Sequence, residues 1–151
     1  TATKFMKAGD FDVMMLAGRY SLLVQNALDE FFPVALDKKI GVMLAGVFNS
    51  GILATGAIPG ARYDYGIASA EIAERVTKIE AVCKAHGTTL RRTALQFSMS
   101  HPAVVSVVLG GVKPEEVRAN IADASIKVPV ALWADLKAQG LLNSTAPTPT
   151  A

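Results

Sequence analysis

The chain has 151 residues, of which 51% are hydrophobic and 19% charged, with a net charge of +2, and this composition predicts a folded domain rather than a disordered chain. The basic residues are scattered, which argues against nucleic-acid binding, and no apolar run approaches the roughly 20 residues that span a bilayer. A single cysteine excludes an intrachain disulfide and favours a reducing, cytoplasmic location.

Three short runs are apolar on both faces, which is typical of strands in a parallel sheet covered by helices. They are VMML at 13–16, IGVML at 40–44 and AVVSVVL at 103–109. Between the first two runs, residues 21–39 have the apolar spacing of a helix. Pro33 interrupts that pattern, so it predicts either a kink or the start of a second short helix.

Two helices are predicted between the second and third strands. The first covers 69–86, with Ser69 as its N-cap and Gly87 as the residue that ends it. The second covers 89–100 and ends before Pro102, because the residue before a proline avoids the helical conformation.

Two further helices follow the third strand, and they begin at Pro114 and Pro129, since proline suits the first helical turn. The predicted apolar face of the first consists of Val117, Ile121 and Ala124. Gly140 ends the second. The Pro/Thr-rich segment 143–151 is expected to be a disordered tail.

Alternating β and α elements indicate an α/β fold with a parallel sheet. A sheet of three strands would leave two apolar edges open to solvent, where other chains can pair. We therefore expect the chain to be part of a larger sheet, completed by a missing N-terminal half or by a partner chain.

Glycines follow the second and third strands, in GVFNSGIL at 46–53 and GGVKPEE at 110–116. A glycine at the carboxyl end of a strand lets a ligand approach the backbone. The helix that begins at Pro114 would direct free N–H groups towards the same space, as in many phosphate sites. Spacing alone leaves two interpretations open, a phosphate site and an ordinary loop.

The remaining chemically reactive side chains predict structural roles. His86 and His101 each lie at a helix end, and no cluster of histidines and cysteines has metal-ligand spacing, so no metal site is expected. Cys83 lies on the apolar face of its helix and is expected to be buried. The loop at 63–65, Tyr-Asp-Tyr, either covers a ligand or is an exposed loop with aromatic anchors.

Five phrases resemble the aldo-keto reductases, especially their sugar-oxidising branch. They are LAGRYSLL (16–23), GVFNSGILATG (46–56), ARYDYG (61–66), HPAVVSVVLGGVKPEEVRANI (101–121) and LWADLKAQGLL (132–142). The resemblance implies that residues 1–142 are the C-terminal part of a (β/α)8 barrel, with the three strands as barrel strands 6 to 8. It implies an NAD(P)-dependent oxidoreductase that acts on an aldose at C1 or on a small aldehyde or alcohol. The family's catalytic Asp, Tyr, Lys and His precede the matching segment, so this part alone is expected to be inactive.

The resemblance also implies which residues bind the cofactor. The family's pyrophosphate-binding loop matches Gly46, Phe48, Asn49, Ser50, Gly51 and Leu53. The segment that holds the adenosine end matches Gly110, Val112, Glu116 and Asn120.

Two departures from the family bear on the cofactor. NADP-preferring members carry cations where this chain has Gly110 and Glu116, so we expect NAD rather than NADP. The alternative is that Lys113 or Arg118 supplies the cation for NADP. The family's strand-7 tyrosine and strand-6 glutamine, which contact the nicotinamide, align with Ala45 and Ala17. Either Tyr20 or Arg19, next to the end of the first strand, compensates for their absence, or Tyr20 fills the core.

Two other functions stay open at this point. One is a non-enzymatic, dinucleotide-binding regulatory protein built on the same barrel. The other is a flavodoxin-like domain that binds a phosphorylated ligand.

Overall fold

A computed structural model describes residues 2–150 and contains two small sheets. The strands are β1 (Val13–Ala17), β2 (Gly41–Ala45), β3 (Arg62–Tyr63), β4 (Gly66–Ile67) and β5 (Val104–Val108). The main sheet has the order β1-β2-β5 with parallel pairing throughout, whereas β3 and β4 form an antiparallel hairpin. The three predicted strands and their parallel arrangement are therefore confirmed.

One face of the main sheet is covered by helices and the other is open. Val42 and Leu44 point to the helices and are buried. Met15 and Val105 lie among the exposed large hydrophobic residues of the outer strands. The predicted burial of both faces is thus wrong for the described residues, because none of their helices or loops covers the second face. Among residues 2–150, in contrast, β1 and β5 are edge strands that pair only with β2, which confirms the two open edges.

Seven α-helices and one short 3-10 helix accompany the strands among residues 2–150. The α-helices are α1 (Ala2–Ala8), α2 (Phe31–Asp37), α3 (Ile52–Thr55), α4 (Ala70–Ala85), α5 (Leu90–Ser98), α6 (Pro114–Ser125) and α7 (Val130–Ala138), and the 3-10 helix covers Asn26–Leu28. The predicted N-cap of α4 is confirmed, since the Ser69 hydroxyl accepts the N–H of Ile72. Helices α1 and α3 were not predicted.

Residues 21–25 form a turn and not the helix that their apolar spacing predicted. The Ser21 hydroxyl accepts the N–H groups of Leu23 and Val24, and the Gln25 amide donates to the carbonyls of Ser21 and Leu22. These side chains satisfy backbone groups that a helix would otherwise use. Pro33 lies in the first turn of α2, so the second short helix is confirmed.

An aromatic cluster at one end of the core surrounds His101. Its ring stacks on Phe32, with 3.6 Å between ring centroids, and lies edge-on to Tyr20. Its Nδ1 accepts the N–H of Ala103 at 3.1 Å. Burial lowers the pKa of His101 to about 4 and raises that of Tyr20 well above its ordinary value. Both residues therefore belong to the core, which decides between the two interpretations of Tyr20.

Helix α6 does not bury the predicted apolar face. Val117 and Ile121 are 48% and 63% exposed, because none of the described residues packs over them. The buried residue of α6 is Asp123, whose carboxylate accepts hydrogen bonds from Arg91 and Arg92 of α5. The contact between α5 and α6 is therefore polar.

The segment 143–150 contains no helix or strand. Ala146 within it is nevertheless buried, and its carbonyl accepts a hydrogen bond from Lys137 at 2.8 Å. The disorder of this tail stays a prediction. In the described part of the chain, every helix is too short or too polar to cross a membrane.

Candidate functional site

A cavity of about 490 Å³ lies at the carboxyl ends of β1 and β2. Ligands of parallel α/β sheets bind beyond this end of the strands, where loops meet. Its walls are formed by Ala17, Gly18, Arg19, Ala45, Gly46, Asn49, Ser50, Tyr63, Asp64 and Tyr65. The cavity therefore joins both strand ends with the β3–β4 hairpin.

Small residues form the floor of the cavity. The N–H of Gly18 donates to the carbonyl of Ala45 at 2.8 Å, which brings the two strand ends together. A Cβ atom on Gly46 would lie 3.2 Å from the Gly18 nitrogen, and the φ of Gly46 is +67°. Glycine at both positions leaves the backbone accessible to a flat ligand group.

The loop after β2 has an unusual backbone. Asn49, Ser50 and Gly51 have φ values of 47°, 57° and 101° in succession. Residues other than glycine adopt such values rarely and at a cost of about 1–2 kcal/mol each, although asparagine tolerates them best. Strained backbone of this kind is concentrated at ligand sites and in tight turns. Here it lines the cavity.

The β3–β4 hairpin forms the outer wall. Its turn residues Asp64 and Tyr65 have φ values of 47° and 67°, as in the type I′ turns that join two-residue hairpins. The N–H of Tyr65 donates to Ser50 Oγ at 3.1 Å, which ties the hairpin to the strand-end loop. Tyr65 is 91% exposed, so it is an aromatic surface residue at the rim of the cavity.

Two polar side chains connect the loops after β1 and β2. The Ser21 hydroxyl donates to Asn49 Oδ1, and the two residues are 0% and 7% exposed. Arg19, in contrast, is exposed on the cavity wall and forms no ion pair with the described residues. The cavity lining therefore includes the polar side chains of Asn49 and Ser50, the cation of Arg19 and the carboxylate of Asp64.

Predicted residues of the strand-β2 loop fall into two groups. Gly46, Asn49 and Ser50 line the cavity, and Gly51 is the N-cap of α3. Phe48 packs partly buried against the core, and the side chain of Leu53 is fully buried there. Contact of these residues with a cofactor stays a prediction.

The residues that were predicted to hold the adenosine end of the cofactor follow the carboxyl end of β5. Gly110 and Val112 are exposed in the loop, whereas Asn120 is half-buried on α6. Glu116, in the first turn of α6, accepts the N–H of Val112 at 2.8 Å. These four residues follow β5, the strand that pairs with β2, and they do not line the 490 Å³ cavity.

Other reactive side chains lie outside the cavity. Cys83 is buried as predicted, and burial raises the pKa of its thiol. His86 caps the end of α4, with its Nε2 2.6 Å from Asp135 Oδ2. Within residues 2–150, no three His, Cys, Asp or Glu side chains are grouped as metal ligands.

Sequence reasoning did not find the floor residue Gly18 or the bond between Ser21 and Asn49. An adjacent Ala-Gly pair at the end of each of two strands, 17–18 and 45–46, is the only signal in the sequence for the floor. Ser21 carries no comparable signal.

The model of the Aldo/keto reductase family matches residues 1–139. A D-threo-aldose 1-dehydrogenase from a Pseudomonas species is 37% identical over 97% of this chain and 44% of its own length. A pyridoxal 4-dehydrogenase from Microbacterium luteolum is 37% identical over 91% of this chain and 40% of its own length. The chain thus spans less than half the length of these relatives.

Solved structures of low sequence identity share the fold. The holo form of an aldo-keto reductase from Bacillus halodurans has a TM-score of 0.72 at 19% identity, over 96% of this chain and 47% of its own. A glycerol dehydrogenase from Gluconobacter oxydans has a TM-score of 0.66 at 13% identity, over 97% of this chain and 47% of its own. The fold is therefore that of part of a (β/α)8 barrel.

Proposed function

The chain belongs to the aldo/keto reductase family, and from that premise we propose that it forms the nicotinamide-dinucleotide-binding part of an oxidoreductase. The complete enzyme would transfer a hydride between the cofactor and either C1 of an aldose or a small aldehyde or alcohol. The names of the two relatives that are 37% identical, an aldose dehydrogenase and a pyridoxal dehydrogenase, support this substrate class. They also favour an enzyme over a regulatory protein, and the barrel fold argues against the flavodoxin-like alternative.

The observation that carries the proposal is the cavity at the carboxyl ends of β1 and β2. Its glycine-containing floor and its inner wall of donors fit an extended ligand with acceptor oxygens. We infer that the loop at 46–51 binds the diphosphate through its backbone and through Asn49 and Ser50. Leu53 and Phe48 would then act by holding the loop against the core, because their side chains pack there.

The adenosine end would bind beside β5 and the N-terminus of α6. Gly110 offers no side chain, and the carboxylate of Glu116 faces the N–H of Val112 in the same loop. A 2′-phosphate at this position would meet a carboxylate in place of a cation, whereas a 2′-hydroxyl could donate to it. Two cations lie nearby, Lys113 at the N-cap of α6 and Arg118, whose Nη1 is 3.7 Å from Glu115 Oε1 in an exposed pair, and neither replaces a cation at position 110 or 116. We therefore propose a preference for NAD over NADP.

The bound cofactor would accept the hydride in the oxidative direction or supply it in the reductive direction, and this chain would bind and orient it. We assign no proton-transfer residue in the chain. Tyr20 does not suit that role, because it is buried in the aromatic cluster and its pKa is raised. The acid–base group would come from the segment that covers the open edges of β1 and β5, either an N-terminal half of the barrel or a partner chain.

Isothermal titration of the chain with NADH, NADPH and FMN tests the proposal. We expect NADH to bind more tightly than NADPH, and FMN not to bind. Circular dichroism before the titration establishes that the chain is folded. A folded chain that binds neither nicotinamide dinucleotide would refute the proposed function.

A further inference from the structure

Ser21 and Asn49 form a buried polar pair that joins the loops after β1 and β2, 28 residues apart in the sequence. Asn49 also lines the cavity. A buried polar pair between two strand-end loops is costly unless its hydrogen bonds are satisfied. The assignment of those hydrogen bonds determines which atom of Asn49 faces the cavity.

The hydrogen bonds of Ser21 leave only one role for its proton. A serine hydroxyl has one proton to donate and two lone pairs that accept. Both lone pairs are used by the N–H groups of Leu23 and Val24, at 3.1 and 3.2 Å. The proton therefore goes to Asn49, and the atom of Asn49 that receives it must be the carbonyl oxygen Oδ1.

This assignment also fixes the other half of the Asn49 amide. With Oδ1 held by Ser21, the two protons of Nδ2 point away from Ser21. No hydrogen bond among residues 2–150 uses Nδ2, although Asn49 is only 7% exposed. Nδ2 is not among the fully buried polar atoms that lack a partner, so its protons are left for solvent or for a ligand in the cavity that Asn49 lines.

The turn that holds Ser21 makes this orientation rigid. Besides the two bonds to its hydroxyl, the Ser21 carbonyl accepts the Gln25 side chain at 2.7 Å, and the Ser21 N–H donates to the Val24 carbonyl at 2.7 Å. Asn49 is thus oriented before a ligand arrives. Orientation in advance lowers the entropic cost of binding.

We propose that Ser21 is a positioning residue, which orients Asn49 so that Nδ2 donates to an oxygen of the cofactor's diphosphate. The exposed guanidinium of Arg19 lines the same cavity and would attract an anionic oxygen, while Asp64 places a carboxylate at the hairpin side of that cavity. This inference rests on the proposed function. It adds Ser21, a residue of the β1 end, to the residues expected to govern cofactor affinity.

The first test changes the donor while leaving the bond to Ser21 in place. Asn49→Asp retains an acceptor for the Ser21 hydroxyl and replaces the Nδ2 donor by a carboxylate oxygen. We expect the affinity for NADH and for ADP-ribose, which shares the diphosphate but lacks nicotinamide, to fall by at least about tenfold. Gln139→Glu makes the same chemical change on the exposed end of α7 and should leave both affinities unchanged.

A double-mutant cycle tests the role of Ser21. Ser21→Ala should weaken ADP-ribose binding several-fold when Asn49 is present and have no further effect in an Asn49→Ala background, because Ser21 acts through Asn49. Nuclear magnetic resonance of the ligand-free chain provides a readout that does not depend on binding. Ser21→Ala should increase the mobility of the Asn49 side-chain NH₂ group, and Ser21→Thr, which keeps the hydroxyl, should restore its order.

The outcomes separate this inference from the proposed function. NADH binding that is unchanged by Asn49→Asp, or effects of the two alanine variants that simply add, would overturn the role of Ser21 while the proposed function stands. A folded wild-type chain that binds neither NADH nor ADP-ribose contradicts both. Tenfold loss in Asn49→Asp, non-additive alanine effects and a mobilised Asn49 amide together support the inference.

Discussion

Replacing His101 with asparagine should remove a specific part of the pH dependence of folding. His101 is buried against Phe32 and Tyr20, and its Nδ1 accepts the N–H of Ala103, two residues ahead. An asparagine Oδ1 reaches the same N–H in the common Asx turn. The substitution therefore keeps the local hydrogen bond and removes the group that titrates.

The sign and size of the effect follow from the pKa of His101. Burial lowers it from 6.5 to about 4, so the unfolded chain binds the proton first as the pH falls. The stability from this group is complete above pH 6.5 and is lost progressively between pH 6.5 and about 4. At about 1.4 kcal/mol for each pH unit between the two pKa values, the full loss is about 3.5 kcal/mol. The asparagine amide of the variant cannot take up a proton in this range.

Urea unfolding of the two chains at pH 7.5, 6, 5 and about 4 measures the difference, with the free energy of unfolding as the readout. Carboxylates such as Glu30 and Glu74, whose pKa values are lowered by hydrogen bonds with lysines, titrate in both chains and cancel in the comparison. His101→Asn should be less stable than the wild type at pH 7.5, because it loses the ring stacking, and this deficit should shrink as the pH falls. A deficit that stays constant down to pH 4 would mean that His101 does not resist protonation, and the reasoning fails.

Three further predictions concern the site and the contact between helices. Gly46→Ala should lower the free energy of unfolding, measured by thermal unfolding, more than Gly60→Ala does, with a difference of about 1 kcal/mol or more. Both positions have positive φ, but only a Cβ atom on residue 46 would approach backbone, at 3.2 Å. Equal losses would contradict the close packing of the strand ends. Asp123→Ala should destabilise the chain by about 3 kcal/mol in urea, because two arginines lose their buried partner, whereas Glu115→Ala, which breaks an exposed pair, should cost less than about 0.5 kcal/mol. Glu116→Arg should raise the affinity for NADPH relative to NADH by about tenfold in calorimetric titrations, and an unchanged ratio would remove Glu116 from cofactor selection.

Much of the secondary structure could be predicted because its signals are local. Ser69 and Gly87 mark the two ends of α4 through the conformations and hydrogen bonds that their own residue types favour. The valine-rich run at 104–108 forms a strand, as β-branched residues favour. Local signals were misleading at residues 21–25, where the side chains of Ser21 and Gln25 bond to nearby backbone and compete with the helix.

The features of the candidate site also fall into those that local sequence patterns predict and those that depend on packing. Residue types and short spacings were sufficient to predict the family resemblance, the parallel α/β class and the glycines at the strand ends. The packing of the folded chain was needed to show that Asp123, and not Val117, is the buried side chain of α6, and that Ser21 meets Asn49 beside a floor of small residues. Such contacts join segments that are far apart in the chain, and they depend on how strands and helices pack, which no local pattern specifies.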